Sequence, residues 1–149
     1  SLADIPLPNG VLRVDKVSVP NPTSIRLGHY TLPENDGTPV KESTSAKVPG
    51  ATIISNGEYS LAMVNLTDWN KTSVLHPEGI HPVSSTCGLI MNEKQVQKEE
   101  VMVTLMLWKK GKKSFSKKEL TPVKSIKVSD DKKSVEIVMA DKTVKKVTF

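Results

Sequence analysis

The chain carries three histidines, two tyrosines, two arginines and one cysteine, so its groups able to move protons or hold metals are few. Arg26, His29 and Tyr30 fall in one short segment, RLGHY. Imidazole and phenol are general acid–base groups, and a guanidinium can steady a developing anion. Neighbours on a strand point to opposite faces, so Arg26 and Tyr30 share one side and His29 takes the other. The three are candidate ligand-binding residues and not a catalytic set. His76, Glu78 and His81 lie in HPEGIHP. Zinc accepts such donors, but the spacing matches no helix face, and Pro77, Gly79 and Pro82 describe a rigid turn. No metal site is assigned; His76 and His81 stay as ligand-binding candidates. Trp69, in the turn DWNK, is either an aromatic platform for a ligand or a cap on the end of a β-sandwich, since an aromatic ring buries about 150 Å² or more.

The remaining motifs are blander. Cys87 has no recognisable base beside it and reads as a small packed hydrophobe. Glu34-Asn35-Asp36-Gly37 lacks the ligand count of a calcium loop and fits Asx-Gly turns. Asn65-Leu66-Thr67 and Asn70-Lys71-Thr72 match the N-glycosylation acceptor pattern, which matters only in a eukaryotic secretory protein. No glycine-rich phosphate loop, G-x-S-x-G or H-E-x-x-H occurs. With no acid, base and nucleophile in evidence, no catalytic residue and no cofactor is assigned.

The elements that must position these residues are strands. Valine-rich or alternating runs cover Val11–Val19, Ser24–Leu32, Thr52–Ser55, Glu58–Leu66, Thr72–His76, Val83–Met91 and Val101–Trp108. A closing meander follows at Lys124–Ser129, Ser134–Ala140 and Thr143–Phe149. Asn56-Gly57 is the strongest hairpin signal. Residues 33–50 read as a long surface loop, and Lys109–Lys118 as a basic loop around Gly111. Asn92–Glu100 is helix-tolerant but too short to stand as a helix. About ten short strands with turn signals between them and little or no helix predict an all-β, antiparallel β-sandwich.

Residues 1–9, with Pro6 and Pro8 before Asn9-Gly10, read as a linker-like entry or a sheet edge, because proline cannot donate to a ladder. Residues 10–149 are then a single domain. The start at Ser1 suggests a domain excised from the C-terminal part of a larger protein. Two strands lack a wet face. In Val101–Trp108 one side is Val101, Val103, Leu105 and Leu107, and the other is Met102, Met106 and Trp108 around Thr104. The Tyr59–Leu66 run is similar. Strands apolar on both faces are buried on both. The cover is either the chain's own loops or another domain; Met102, Met106 and Trp108 are the interface candidates, although Trp108 itself reads as core.

Composition bounds the partners. Of 149 residues 37% are hydrophobic, which is too many for a disordered tail. No apolar run approaches the roughly 18 residues of a membrane helix. The net charge of +5 divides into −3 over residues 1–93 and +8 over residues 94–149. Every cation in the second part is lysine. Nucleic-acid readers favour the planar fork of arginine, and aromatics make up only 4% of the chain, so nucleic acid is not an expected partner.

RLGHYTLPE (Arg26–Glu34), Ala51–Asn70, GIHPVSS (Gly79–Ser85) and VTLMLWKKG (Val103–Gly111) with the closing meander carry a resemblance. Together they resemble the C-terminal β-sandwich regions of secreted bacterial heparinase II/III-like polysaccharide lyases and their uncharacterised relatives. The resemblance covers most of the chain, in strand patterns and not in catalytic motifs. It implies a helical toroid upstream, a substrate cleft between toroid and sandwich, and β-elimination with a Tyr or His base. No catalytic residue transfers, because the family's lie largely in the toroid; at most Arg26, His29, Tyr30 or His81 would complete a cleft. The expectation is a non-catalytic accessory β-sandwich domain of a secreted or periplasmic carbohydrate-active protein, packed on an upstream catalytic domain. The alternatives are a free-standing module for anionic polysaccharide and, least favoured, a small enzyme.

Overall fold

The computed structural model describes residues 1–33, 41–44, 48–55, 59–75, 87–111 and 115–149. The fold is all-β and antiparallel throughout. Its twelve described strands are β1 (Leu2–Leu7), β2 (Gly10–Ser18), β3 (Thr23–Pro33), β4 (Lys41–Thr44), β5 (Ala51–Ser55), β6 (Tyr59–Asn65), β7 (Lys71–Leu75), β8 (Cys87–Val96), β9 (Glu99–Lys110), β10 (Val123–Val128), β11 (Ser134–Met139) and β12 (Val144–Thr148). A single helical turn, α1 (Lys117–Leu120), precedes β10. The strands make a six-stranded sheet in the order β1-β2-β9-β6-β5-β4, and two three-stranded sheets, β10-β11-β12 and β3-β8-β7.

The six-stranded sheet is the middle of three layers, and β9 lies inside it between β2 and β6. One face carries Leu12, Val14, Ala62, Val64, Val101, Val103, Leu105 and Leu107. These pack on Val135, Ile137 and Met139 of the closing meander, with Phe115 and Leu120 filling in. The opposite face carries Ile54, Met63 and Met106, which pack on Ile90 of β8. Strict alternation along each strand sorts side chains to the two layers. Among the described residues, the second face of these two-sided apolar strands packs on Ile90 of the chain's own β3-β8-β7 sheet. Of the interface candidates, Met102 is fully buried and Met106 partly buried against the second core. Trp108 departs from its expected place in the core: it is 50% exposed.

Other boundaries differ from expectation for physical reasons. Residues 2–7 form the edge strand β1, paired from Leu2↔Asp15 to Leu7↔Gly10; at an edge, proline costs no ladder bond. Within the expected 33–50 loop, Lys41–Thr44 adds a further edge strand against β5. Asn92–Val96, polar and helix-tolerant, continues β8 instead, because pairing with β3 and β7 outweighs a weak helix preference. The β5–β6 hairpin forms, while its Asn56-Gly57 turn lies outside the described residues. The basic Lys109–Lys118 stretch is strand at its start and α1 at its end. The meander turns use Lys132 and Lys142 at positive φ, each after an aspartate that accepts a backbone N–H two residues on. Among the described residues no helix is long and apolar enough to cross a membrane.

Two polar features punctuate the layer between the middle sheet and β3-β8-β7. Asn92 is fully buried and exchanges amide hydrogen bonds with Asn65, while Thr72 Oγ donates to Asn92 Oδ1 at 2.7 Å. Thr104 is fully buried and its hydroxyl has no partner among the described residues. An unsatisfied buried hydroxyl costs about 1–3 kcal/mol. Thr104→Val, which keeps the shape and removes the hydroxyl, should raise urea stability by about 1–2 kcal/mol; a loss would show that the hydroxyl has a partner in solution. Ile137→Ala, at the centre of the larger core, should cost about 2–5 kcal/mol. Val144→Ala on the exposed edge should change stability by about 0.5 kcal/mol or less in the same urea titrations.

Candidate functional site

The residues singled out by their chemistry do not converge. Arg26 pairs in register with Glu93, its Nε donating to Glu93 Oε1 at 2.8 Å on an exposed surface. Lys71 faces the same Glu93 from β7, so Arg26 belongs to a charged row across the three-stranded sheet. His29 and Tyr30 lie in β3 opposite Ile90 and Leu89. His76 and His81 are outside the described residues, as is the whole HPEGIHP turn. Cys87 opens β8. Trp69 is half-buried beside Asn65, Thr67 and Thr72, and its enclosed indole Nε1 has no partner among the described residues. Asn65, the first of the two glycosylation-pattern asparagines, has its amide engaged by Thr72 and Asn92; Asn70 is exposed.

The concave feature of the molecule lies elsewhere, at the far end of β9. An open groove of about 890 Å³ is bounded by the β1–β2 turn, the last four residues of β9, α1 and the β11–β12 turn. Its walls are assembled by short-range bonds. Trp108 N–H donates to the Asn9 carbonyl at 3.0 Å, fixing the β1–β2 turn against β9. Ala140 N–H donates to the Pro122 carbonyl at 2.8 Å, joining the α1 exit to the β11 end. Met139 N–H donates to the Thr143 carbonyl at 2.8 Å and closes the β11–β12 turn. Ser60 Oγ donates to the Gly111 carbonyl at 2.9 Å, holding the chain as it leaves β9.

Four lysines, Lys109, Lys110, Lys118 and Lys145, border the groove against two carboxylates, Glu119 and Asp141. Lys109 runs over the Phe115 ring, its Nζ 4.6 Å from the centroid, and ends 2.6 Å from Glu119 Oε2. Glu119 Oε1 accepts the Ser116 N–H at 3.0 Å, and Ser116 Oγ accepts the Glu119 N–H at 3.1 Å. This reciprocal capping box pins α1, and Leu120 anchors the turn in the core. The Lys109 hydrogen bond and the Ser116 N–H hold the Glu119 carboxyl down at about 2, from an ordinary 4.5. Asp141 is also lowered, by the Thr143 hydroxyl and then the Thr143 N–H. Both carboxylates thus hold the fold's own groups, while Lys110, Lys118 and Lys145 leave the groove positive.

What this arrangement can do is bind an anion along an apolar floor made by Leu107, Phe115 and Met139. Trp108 stands at the rim, half exposed. The candidate residues missed in the sequence are the groove's own, Lys118, Lys145 and Phe115; the concentration of lysine after residue 94 is the signal that points to this part. No family model matches the chain, and no curated protein matches it significantly.

The Glu119 pKa is lowered on folding, so its contribution to stability is complete above about 4.5 and fades as pH falls toward 2. In Lys109→Ala the Glu119 carboxyl midpoint, followed by carbon NMR, should climb from about 2 toward 4.5. Glu119→Gln should flatten the thermal stability profile across that acid range. An unmoved midpoint would show that Ser116 alone holds the carboxylate.

Proposed function

We propose that this chain is a non-catalytic β-sandwich domain that binds anionic polysaccharide in the groove at the end of β9. The observation that carries the reading is a half-exposed tryptophan at the rim of a lysine-bordered groove. The apolar C–H face of a sugar ring stacks on an aromatic π-face, whose negative quadrupole attracts those hydrogens. Ammonium groups placed around the ring then meet carboxylates or sulfates as point charges. Lysine suits a ligand whose anions vary in position; arginine suits planar two-point recognition. Among its described residues the groove has no arginine, which supports polysaccharide over nucleic acid.

The resemblance to the sandwich regions of heparinase II/III-like lyases belongs to the same proposal, as does a secreted or periplasmic setting with a catalytic domain elsewhere in the parent protein. In that setting the sandwich is an accessory that holds a polyanion chain for another domain's chemistry. The covering of Met102 and Met106 by the chain's own sheet removes one argument for a large apolar contact with an upstream domain. It favours the ligand-holding role over the packing role.

Titration of the chain with heparin and with polygalacturonate, at low and high salt, tests the reading. Binding should be strongest at low salt and fall steeply with added salt, since exposed charges are screened over about 10 Å at 0.1 M. Trp108→Ala should weaken binding about 3- to 10-fold by loss of the stacking contact. Lys118→Glu with Lys145→Glu should abolish it. No binding at low salt, or a Lys118→Glu/Lys145→Glu variant that binds as well as the parent, would end the proposal.

A further inference from the structure

The alternation of the closing meander separates two neighbouring lysines. In β12, Val147 stands opposite Val135, and Lys145 stands opposite Ile137. Val135 and Ile137 are fully buried, and Val147 packs against the same core. Successive side chains on a strand point to opposite faces, so Lys145 is on the core side of the meander. Lys146 is on the outer side, opposite Glu136, which in turn stands opposite Lys127. Burial follows the same division: Lys145 is half-buried and Lys146 exposed. A period of two asks for an apolar residue at position 145, as at 147. A lysine placed there lays its stem along the core and delivers its ammonium at the margin of the sheet. That margin is the groove, whose wall includes Lys145 together with Met139 and Thr143.

No acid is committed to Lys145: among the described residues it makes no ion pair. Lys109, the other half-buried lysine of the groove, is bound to Glu119 at 2.6 Å. The Asp141 carboxyl is held first by the Thr143 hydroxyl and the Thr143 N–H, and only then by the Lys145 charge from farther off. Lys110 and Lys118 are exposed. A half-buried ammonium keeps more of its attraction than an exposed one, because the lower permittivity around it strengthens the attraction and salt screens it less. We infer that Lys145 is the anchoring residue of the groove. It holds one sulfate or carboxylate of the polysaccharide and so fixes where along the sugar chain the domain grips. Lys110 and Lys118 add screened attraction that tolerates any position of the ligand's charges. The inference rests on the proposed function and adds to it the residue that sets specificity. An inward-pointing charge on an edge strand can also keep a sheet from pairing with another copy, and β12 is an edge of its sheet. A lysine that only guarded the edge would take no part in binding.

The experiment is a calorimetric titration with a heparin oligosaccharide and with an oligogalacturonate, each at low and high salt. It compares the wild-type chain with Lys145→Met, Lys145→Gln, Lys118→Met and Lys146→Met. Lys145→Met keeps the stem and puts an apolar group at an inward position, so urea unfolding should show it at least as stable as the wild type. Its affinity should fall about 10- to 100-fold, and that deficit should persist at high salt. Lys145→Gln, polar and neutral, should lose as much, which keeps the reading open to test should the methionine pack badly. Lys118→Met should cost about 5-fold or less at low salt, and its deficit should vanish as salt is added. Lys146→Met, on the same strand but outside the groove, should bind like the wild type. Loss with heparin alone would support a held sulfate, and loss with both ligands a held carboxylate. If the wild type binds neither ligand, both the inference and the function it rests on fall. If it binds, but the Lys145 variants lose no more than Lys118→Met or recover with salt, the groove reading stands and the anchor falls. A Lys145→Met chain that binds like the wild type but self-associates in sedimentation would make Lys145 an edge guard and overturn the inference in the same way.

Discussion

One strand has to be kept from water on both sides, and the rest of the molecule is arranged around that requirement. From Val101 to Trp108, β9 is apolar on each face except at Thr104. Flanking strands protect its edges and hydrogen bonds, but only a layer above and a layer below can cover its side chains. The meander supplies one and β3-β8-β7 the other. Such a strand has an unusual register problem. In a one-sided sheet a slip of one residue exposes the apolar face and is rejected by water. Here a slip would exchange one apolar face for the other. The register is held instead by points that accept no exchange. Gly10 stands opposite Leu107, where any Cβ would run into the Met106 carbonyl. The Arg13–Thr104–Asn65 row puts its three polar side chains on one line across the sheet.

The groove follows from the same constraint at the place where it ends. The last residues of β9, Leu107 to Lys110, still pair with β6, but they also border the β1–β2 turn, α1 and the β11–β12 turn. Apolar positions there become groove floor and rim, and polar ones become lysines. The alternation that buries Met102 sends Trp108 to the same side, where it is half exposed. Glu119 is committed to Lys109 and to the capping box of α1, so the groove's negative charge goes into holding its wall. The positive charge left over belongs to lysines on three different elements: β9, α1 and β12.

Much of this architecture was legible in residue patterns, and the reasons for the failures are physical. The period-two meander of Lys124–Phe149 appears within a residue or so of where its alternation puts it, because one wet face gives a clear signal. The two-sided character of Val101–Trp108 was equally plain, but periodicity reports that a face is covered and not by what. The cover comes from β8, whose polar half (Asn92–Val96) carries no strand alternation of its own and is recruited by pairing. Trp108 reads as core because its neighbours are core, yet it is half exposed: alternation along one strand does not report how far the packing extends along it. The site was the least legible part. Isolated motif residues such as Arg26 and Trp69 attract attention, yet Arg26 is matched by Glu93 and Trp69 is tucked into a turn. The groove lysines are anonymous in a lysine-rich stretch until the β11–β12 turn and α1 bring them together.

The central claim is that one end of this sandwich, and no other part of its lysine-rich surface, receives an anionic chain. The measurement that meets it most directly is an amide chemical-shift map of the nitrogen-labelled chain titrated with a heparin oligosaccharide at low salt. The account predicts shifts confined to Leu107–Gly111, Lys118–Pro122 and Met139–Lys145. Lys124, Lys127, Lys132, Lys133 and Lys146, equally charged but outside the groove, should stay unmoved. Shifts spread evenly over all the lysines of the meander, or centred on its opposite end at Lys132 and Lys133, would contradict it.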